Sequence, residues 1–116
     1  MHVLMIVNDS PYGSERAYQA LRLAGALVET EEDLELTLYL TADGVYCARR
    51  GQQTPQGYYN IERMLKPILR RGSVMACRTC LEARGLALPD LVEGVREARL
   101  GELAQFTLEA EKVLVY

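Results

Sequence analysis

The sequence predicts an α/β fold: a three-layer α/β/α sandwich around a mostly parallel sheet of about five strands. Two observations carry that expectation. Short apolar or alternating runs, HVLMIV (2–7), LELTLYL (34–40), SVMAC (73–77) and KVLVY (112–116), read as strands. Between them lie stretches of about 10 to 15 residues with apolar positions at helical spacing, the alternation that a parallel sheet covered on both faces requires. With 116 residues, 49% hydrophobic and 25% charged, the chain has an ordinary globular composition, and no linker or repeat divides residues 1–116, so one domain is expected.

HVLMIV ends in Asn8, Asp9, Ser10 and Pro11, a buried strand closing in a turn. Ser14 is placed to cap the helix that follows, Glu15 suits its positive first turn, and Ala17, Ala20, Leu21, Ala24 and Val28 form its inward stripe. LELTLYL alternates polar and apolar residues with β-favouring Thr and Tyr, and its exit leads to Cys47 in a short helix. The segment GQQTPQGY (51–58) has no periodicity and reads as a lid, a partner contact or a mobile tip. Asn60 then caps a helix with Ile61, Met64, Leu65, Ile68 and Leu69 on one face; Arg70, Arg71 and Gly72 end it, and Pro67 predicts a kink. After SVMAC and a CxxC helix, a short strand is expected within 91–97. The last helix spans Leu100–Glu109 with Leu100, Leu103, Ala104 and Leu108 inward, before KVLVY closes the sheet.

Composition excludes several functions. A net charge of -3, with only the pair Arg70–Arg71 as a basic run, gives no footprint for nucleic acid. The first apolar run has no basic flank and no segment approaches the roughly 18 apolar residues of a membrane span, so the expectation is a cytoplasmic protein without a membrane partner. In a reducing compartment the three cysteines are read as thiols, and their odd number leaves at least one unpaired. The turn NDSPYGSE carries neither a GxGxxG nor a GxxxxGK[ST] phosphate cradle, and no cofactor is expected. A zinc site would have to recruit His2, at the start of the first strand, to cysteines beyond the end of the third, about 16 Å away for a five-residue strand; no metal is expected either.

Parallel sheets gather chemistry at the carboxyl ends of their strands. That edge is lined by Asn8, Asp9 and Ser10, by Thr41, Ala42 and Asp43, and by Cys77. At a strand end and the first turn of a helix, Cys77 would have free backbone N–H groups to stabilise a thiolate, with Arg78 and Arg84 adding positive charge. Cys80 stands at the spacing of a reversible disulfide. The bland reading is that these cysteines pack as small hydrophobes, as Cys47 is expected to do. Asp9 and Asp43 are an acid–base pair or loop caps, and Tyr12, Tyr46, Tyr58 and Tyr59 are packing or subunit contacts.

The segments VNDSPYGSERAYQALRLAGAL, TADGVYCARRGQ, GYYNIERML, CRTCLEARG and LGELAQFTLEAEKVLVY resemble, in order and over nearly the whole chain, the DsrE/DsrF-like family of sulfur-relay proteins, most closely its YchN-like branch. The sharpest marker is a Cys followed seven positions later by Arg-Gly, matched by Cys77, Arg84 and Gly85. The resemblance implies a parallel α/β sandwich that assembles as a homo-oligomer, a trimer or a hexamer. It implies a persulfide on Cys77, taken from a sulfur donor protein and passed to an acceptor protein in tRNA thiolation or sulfur metabolism, by a carrier rather than a turnover enzyme. Cys80 departs from the usual relay motif but fits the YchN-like pattern. It would either attack the Cys77 persulfide as a resolving thiol or be a packed bystander, and the need to distort the helix weighs against attack. Asn8, Asp9, Tyr12, Asp43, Arg78 and Arg84 are the candidate binding residues. Two other functions fit the residues: a non-catalytic oligomeric ligand-binding or regulatory protein, and a thiol–disulfide oxidoreductase using Cys77 and Cys80 as a couple.

Overall fold

A computed structural model describes residues 1–116. Five strands, β1 (His2–Val7), β2 (Glu35–Leu40), β3 (Ser73–Cys77), β4 (Arg96–Ala98) and β5 (Lys112–Val115), form one sheet in the order β4-β3-β2-β1-β5. Every pairing is parallel. Four α-helices connect them: α1 (Arg16–Thr30), α2 (Ile61–Arg71), α3 (Arg78–Ala83) and α4 (Leu100–Glu109). The register pairs Val7 with Leu40, Leu40 with Ala76 and Cys77 with Ala98, so neighbouring strands stop at one edge. They stop there because each apolar run stops there.

Alternation along the strands sorts residues between two unequal faces. Val3, Met5, Val7, Leu36, Leu38, Leu40, Val74 and Ala76 join Ala17, Ala20, Leu21, Ala24 and Val28 of α1 and Ile61, Leu65 and Ile68 of α2 in a core of 24 buried residues. Fully burying each Leu or Ile there contributes about 1.5–3 kcal/mol, while the alanines of α1 let that helix lie close to the sheet. The opposite core holds four buried residues, Leu4, Tyr39, Met75 and Ala98, under Leu103, Phe106 and Ala110 from the α4 side.

The expected helix faces hold for α1, whose five buried residues are the predicted five. Its start differs: Arg16 is the first helical residue, preceded by Glu15. Ser14 still serves the end, accepting the Arg16 N–H at 3.2 Å while its hydroxyl donates to Asp9 Oδ2 at 2.6 Å. Asn60 caps α2 by accepting the Arg63 N–H at 3.0 Å, and the helix runs through Pro67 to Arg71 as a single element. Segment 51–58 is tied to α2, because Glu62 Oε1 accepts the N–H groups of Gly51 (3.0 Å) and Gln52 (2.7 Å). The short fourth strand lies at Arg96–Ala98, one residue beyond the expected window.

The expected inner face of α4 is corrected. Leu100 is 74% and Leu108 88% exposed, and Ala104 is exposed with them. Only Leu103 of the predicted four packs toward the sheet, with Phe106 beside it. A ten-residue amphipathic helix offers more than one apolar line, and the position of the sheet selects between them.

Candidate functional site

The CxxC segment begins where β3 ends. Cys77 has extended backbone (φ -61°, ψ 119°) and stands immediately before α3. That helix is only six residues long. It closes with Gly85 in the left-handed region (φ 67°), the Leu86 N–H reaching back to the Leu81 carbonyl at 2.9 Å and the Gly85 N–H to that of Glu82 at 3.2 Å. Glycine tolerates this αL closure without a Cβ penalty, which accounts for the glycine after Arg84.

Cys80, on the third residue of α3, faces the exit of β2. There Ala42 adopts the left-handed conformation (φ 50°), which costs a non-glycine residue on the order of 1 kcal/mol. The conformation is matched to the sulfur: the Ala42 N–H donates to Cys80 Sγ at 3.2 Å, and the Thr41 hydroxyl lies 3.5 Å from the same atom. Burial opposes ionisation of Cys80. Hydrogen bonds from the Thr41 hydroxyl, the Cys77 thiol and the Ala42 amide, with the positive charge of Arg84, outweigh that cost and hold the thiol below its ordinary pKa. The donors expected around Cys77 from a helix terminus are thus supplied to Cys80, and by the end of a neighbouring strand.

Cys77 is half-buried beside Tyr39 on the α4 side of the sheet. Burial, then the adjacent Cys77 thiol, raises the Tyr39 pKa above the ordinary phenol value, so this phenol stays protonated at neutral pH. Arg84 joins three pieces of the site. Its Nε and Nη2 reach Asp43 Oδ1 at 3.0 and 2.9 Å, and its Nη1 donates to the Cys80 carbonyl at 3.0 Å. The contact ties α3 to the Ala42–Ala48 3₁₀ segment.

Cys77, Cys80, Asp43 and Arg84 therefore stand together. The other candidates are placed differently. Arg78 is engaged along its own helix with Glu82 at 2.9 Å. Asn8 donates from its side chain to the Tyr116 carbonyl at 3.1 Å. Asp9 accepts the Ser14 hydroxyl, and its backbone carbonyl faces the Cys47 thiol at 3.7 Å. The Tyr12 hydroxyl donates to Gln52 and accepts the Ile61 N–H at 3.2 Å, and its ring meets Tyr59 edge-on at 6.2 Å. Tyr12 and Tyr59 border a separate cleft of about 350 Å³ with Tyr18. Cys47 is buried, and loss of solvent pushes its pKa up to about 12. His2 Nε2 is paired with Thr37 Oγ1 at 3.0 Å, with Phe106 edge-on to the ring.

Three residues of the site escaped assignment from sequence: Thr41 and Ala42 as donors, and Tyr39 as the neighbour of Cys77. Thr41 and Ala42 were recognisable only as part of the carboxyl edge, and Tyr39 only as a strand residue. What this arrangement can do chemically is favour the thiolate of one sulfur beside a second, half-exposed thiol.

A family model described as the DsrE/DsrF-like family matches residues 1–116. Protein YchN of Escherichia coli strain K12 is 43% identical over 115 residues, covering 98% of this chain and 97% of that protein. Its crystal structure superposes with a TM-score of 0.94 over 100% of this chain and 99% of that one. An uncharacterised protein of Methanocaldococcus jannaschii is 37% identical over the full length of both chains. A protein of Vibrio vulnificus strain YJ016 named as a sulfurtransferase TusD homolog is 29% identical, covering 97% of this chain and 95% of that one.

Proposed function

The chain belongs to the DsrE/DsrF-like family, and from that premise we propose that it is a small sulfur-relay protein carrying sulfane sulfur as a persulfide on Cys77 between a donor and an acceptor protein. The observation that carries this reading is the half-exposed Cys77 at the carboxyl edge of the sheet, with a phenol on one side and a second, hydrogen-bonded sulfur on the other. The sulfurtransferase name of the TusD homolog agrees with that chemistry.

In the loading step, the Cys77 thiolate attacks the outer sulfur of a donor persulfide. The S–S bond of the donor breaks, its cysteine leaves as a thiolate, and Cys77 gains one sulfur. The protonated Tyr39 phenol stands beside that sulfur. A cleft of about 380 Å³ lined by Arg78, Thr79, Glu82, Arg99 and Leu100 opens from the residue after Cys77, a surface for the donor or acceptor protein.

The same reading includes a homo-oligomer, a trimer or a hexamer. The outward Ala104 and Leu108 on α4, with Val115 65% exposed on edge strand β5, supply apolar surface for another copy. No helix is long and apolar enough to cross a membrane, and the protein would work in the cytoplasm without a membrane or nucleic-acid partner.

Incubating Cys80→Ser with inorganic polysulfide should add about 32 Da, removable by reductant, and Cys77→Ser should add none. No gain on Cys80→Ser, or an equal gain on Cys77→Ser, rejects Cys77 as the carrier. Light scattering of the wild type at micromolar concentration should give a multiple of 13.0 kDa; the monomer mass rejects the oligomer.

A further inference from the structure

Resting on the relay reading, we infer that Cys80 is the resolving sulfur of the site: it closes a disulfide with a persulfidated Cys77 and discharges the cargo as hydrosulfide without an acceptor protein.

Bending of the helix is the obvious objection to such a step, and the structure removes it. Residues three apart within a helix hold their Cβ atoms about 5–6 Å apart, whereas a disulfide needs about 3.5–4.5 Å. Cys77 is not within the helix. Its backbone is extended at the end of β3, where it caps α3, so the closing movement falls on a side chain carried by non-helical backbone. The Cys77 thiol is also among the groups that draw the Cys80 pKa down.

Cys80 is also prepared at its other side. Its Sγ receives the Ala42 N–H at 3.2 Å, from a residue held in the left-handed region, and faces the Thr41 hydroxyl at 3.5 Å. A bystander sulfur would need neither the strained donor nor the Arg84 contact at 3.0 Å that fixes its carbonyl. Cys47, packed in the same core, has its sulfur as donor to a carbonyl and receives nothing. Strain sustained at Ala42 is of the kind that clusters at working sites.

The step balances without an outside oxidant. The Cys80 thiolate attacks Cys77 Sγ, a Cys77–Cys80 bond forms, and the bond from Cys77 Sγ to the terminal sulfur breaks. The terminal sulfur leaves as HS⁻ with the electron pair of that bond; it is reduced while Cys80 is oxidised, and Cys77 Sγ, already oxidised in the persulfide, keeps its state. A dithiol reductant then resets the site by attacking the half-exposed Cys77 sulfur, with Cys80 as the better leaving group because its thiolate is hydrogen-bonded.

The test is a time course after loading wild type, Cys80→Ser and Cys80→Ala with polysulfide and removing the excess, followed by intact mass and free sulfide. Wild type should lose the added sulfur, release about one sulfide per chain and finish about 2 Da lighter than the reduced protein, while both variants keep the persulfide about tenfold longer or more. Equal lifetimes in all three overturn the inference and leave the carrier reading standing. If no form takes up sulfur the carrier reading fails, and equilibration of wild type with reduced and oxidised dithiothreitol decides the pair by itself. A 2 Da loss confined to wild type supports a working dithiol; no loss at any ratio overturns it.

Discussion

Two thiols meet at one short segment, Ala42–Ala48, and their chemistry diverges. Cys47 lies within it, fully buried, and can only donate, to the Asp9 carbonyl at 3.7 Å; its pKa is pushed up to about 12 by burial. Cys80 lies across from its first residue and receives the Ala42 N–H, and its pKa falls although burial opposes this. The difference teaches that burial and hydrogen bonding act together at sulfur: fully buried Cys47 is pushed up by loss of solvent, and half-buried Cys80 is drawn down by the donors it faces.

The change with the largest expected effect breaks the comparison by moving the segment itself. A Cβ on Gly44 would sit inside contact distance of the Val7 carbonyl and its carbon, both backbone atoms that cannot swing aside. Gly44→Ala should cost about 2–3 kcal/mol in urea unfolding, and should make Cys47 alkylate in the native protein, where wild type protects it until unfolding.

A smaller effect sharpens the comparison through pH. For Cys47 the folded pKa is raised, so the unfolded chain ionises first: stability is intact below about 8.5 and falls as pH rises toward 12, by about 2 kcal/mol at pH 10. Cys47→Ala should flatten that part of the profile relative to wild type. For Cys80 the folded pKa is depressed, so its contribution is present above the unfolded value and is lost as pH falls through the folded one. Cys80→Ala should therefore change the slope in the opposite sense on the acid side of the ordinary thiol pKa. Unfolding midpoints from pH 6 to 10 measure both, and slopes of one sign for the two variants would contradict the contrast.

Thr41→Val has the smallest effect and the most local one. It removes the hydroxyl 3.5 Å from Cys80 and leaves the Ala42 amide in place. Stability should change by less than about 1 kcal/mol, while the pH midpoint for alkylating Cys80, read in a Cys77→Ser background, moves up toward the ordinary thiol value. An unmoved midpoint would leave the Ala42 amide and Arg84 as the groups that matter.

Much of the fold was legible because its signals are local. Short apolar or alternating runs marked β1, β2, β3 and β5, and the spacing of Ala17, Ala20, Leu21, Ala24 and Val28 named the buried face of α1. The three-residue β4 was too short for periodicity to locate closely. For α4 the apolar line of Leu100, Ala104 and Leu108 competes with that of Leu103 and Phe106, and nothing within ten residues separates them. The site was half legible. Cys77 and Cys80 announced themselves by spacing, and Asp43 and Arg84 by lying at the edge and in the motif. The donors to Cys80 stand 38 and 39 residues before it, beyond any local pattern. Asn8, Asp9 and Tyr12 share the edge in sequence terms, yet they are held by Tyr116, Ser14 and Gln52 rather than by the cysteines.

By itself, the order of apolar runs and turns determined a parallel α/β sheet with thiols at its carboxyl edge, since a strand ends where its buried residues end and ligand-facing groups follow. Only the tertiary structure decided which sulfur has its thiolate favoured, because that depends on a strained amide and a hydroxyl brought from the end of β2. It likewise decided which line of α4 meets the sheet. Both outcomes rest on contacts between residues far apart in the chain, where close packing and donor direction choose among arrangements that local spacing leaves equivalent.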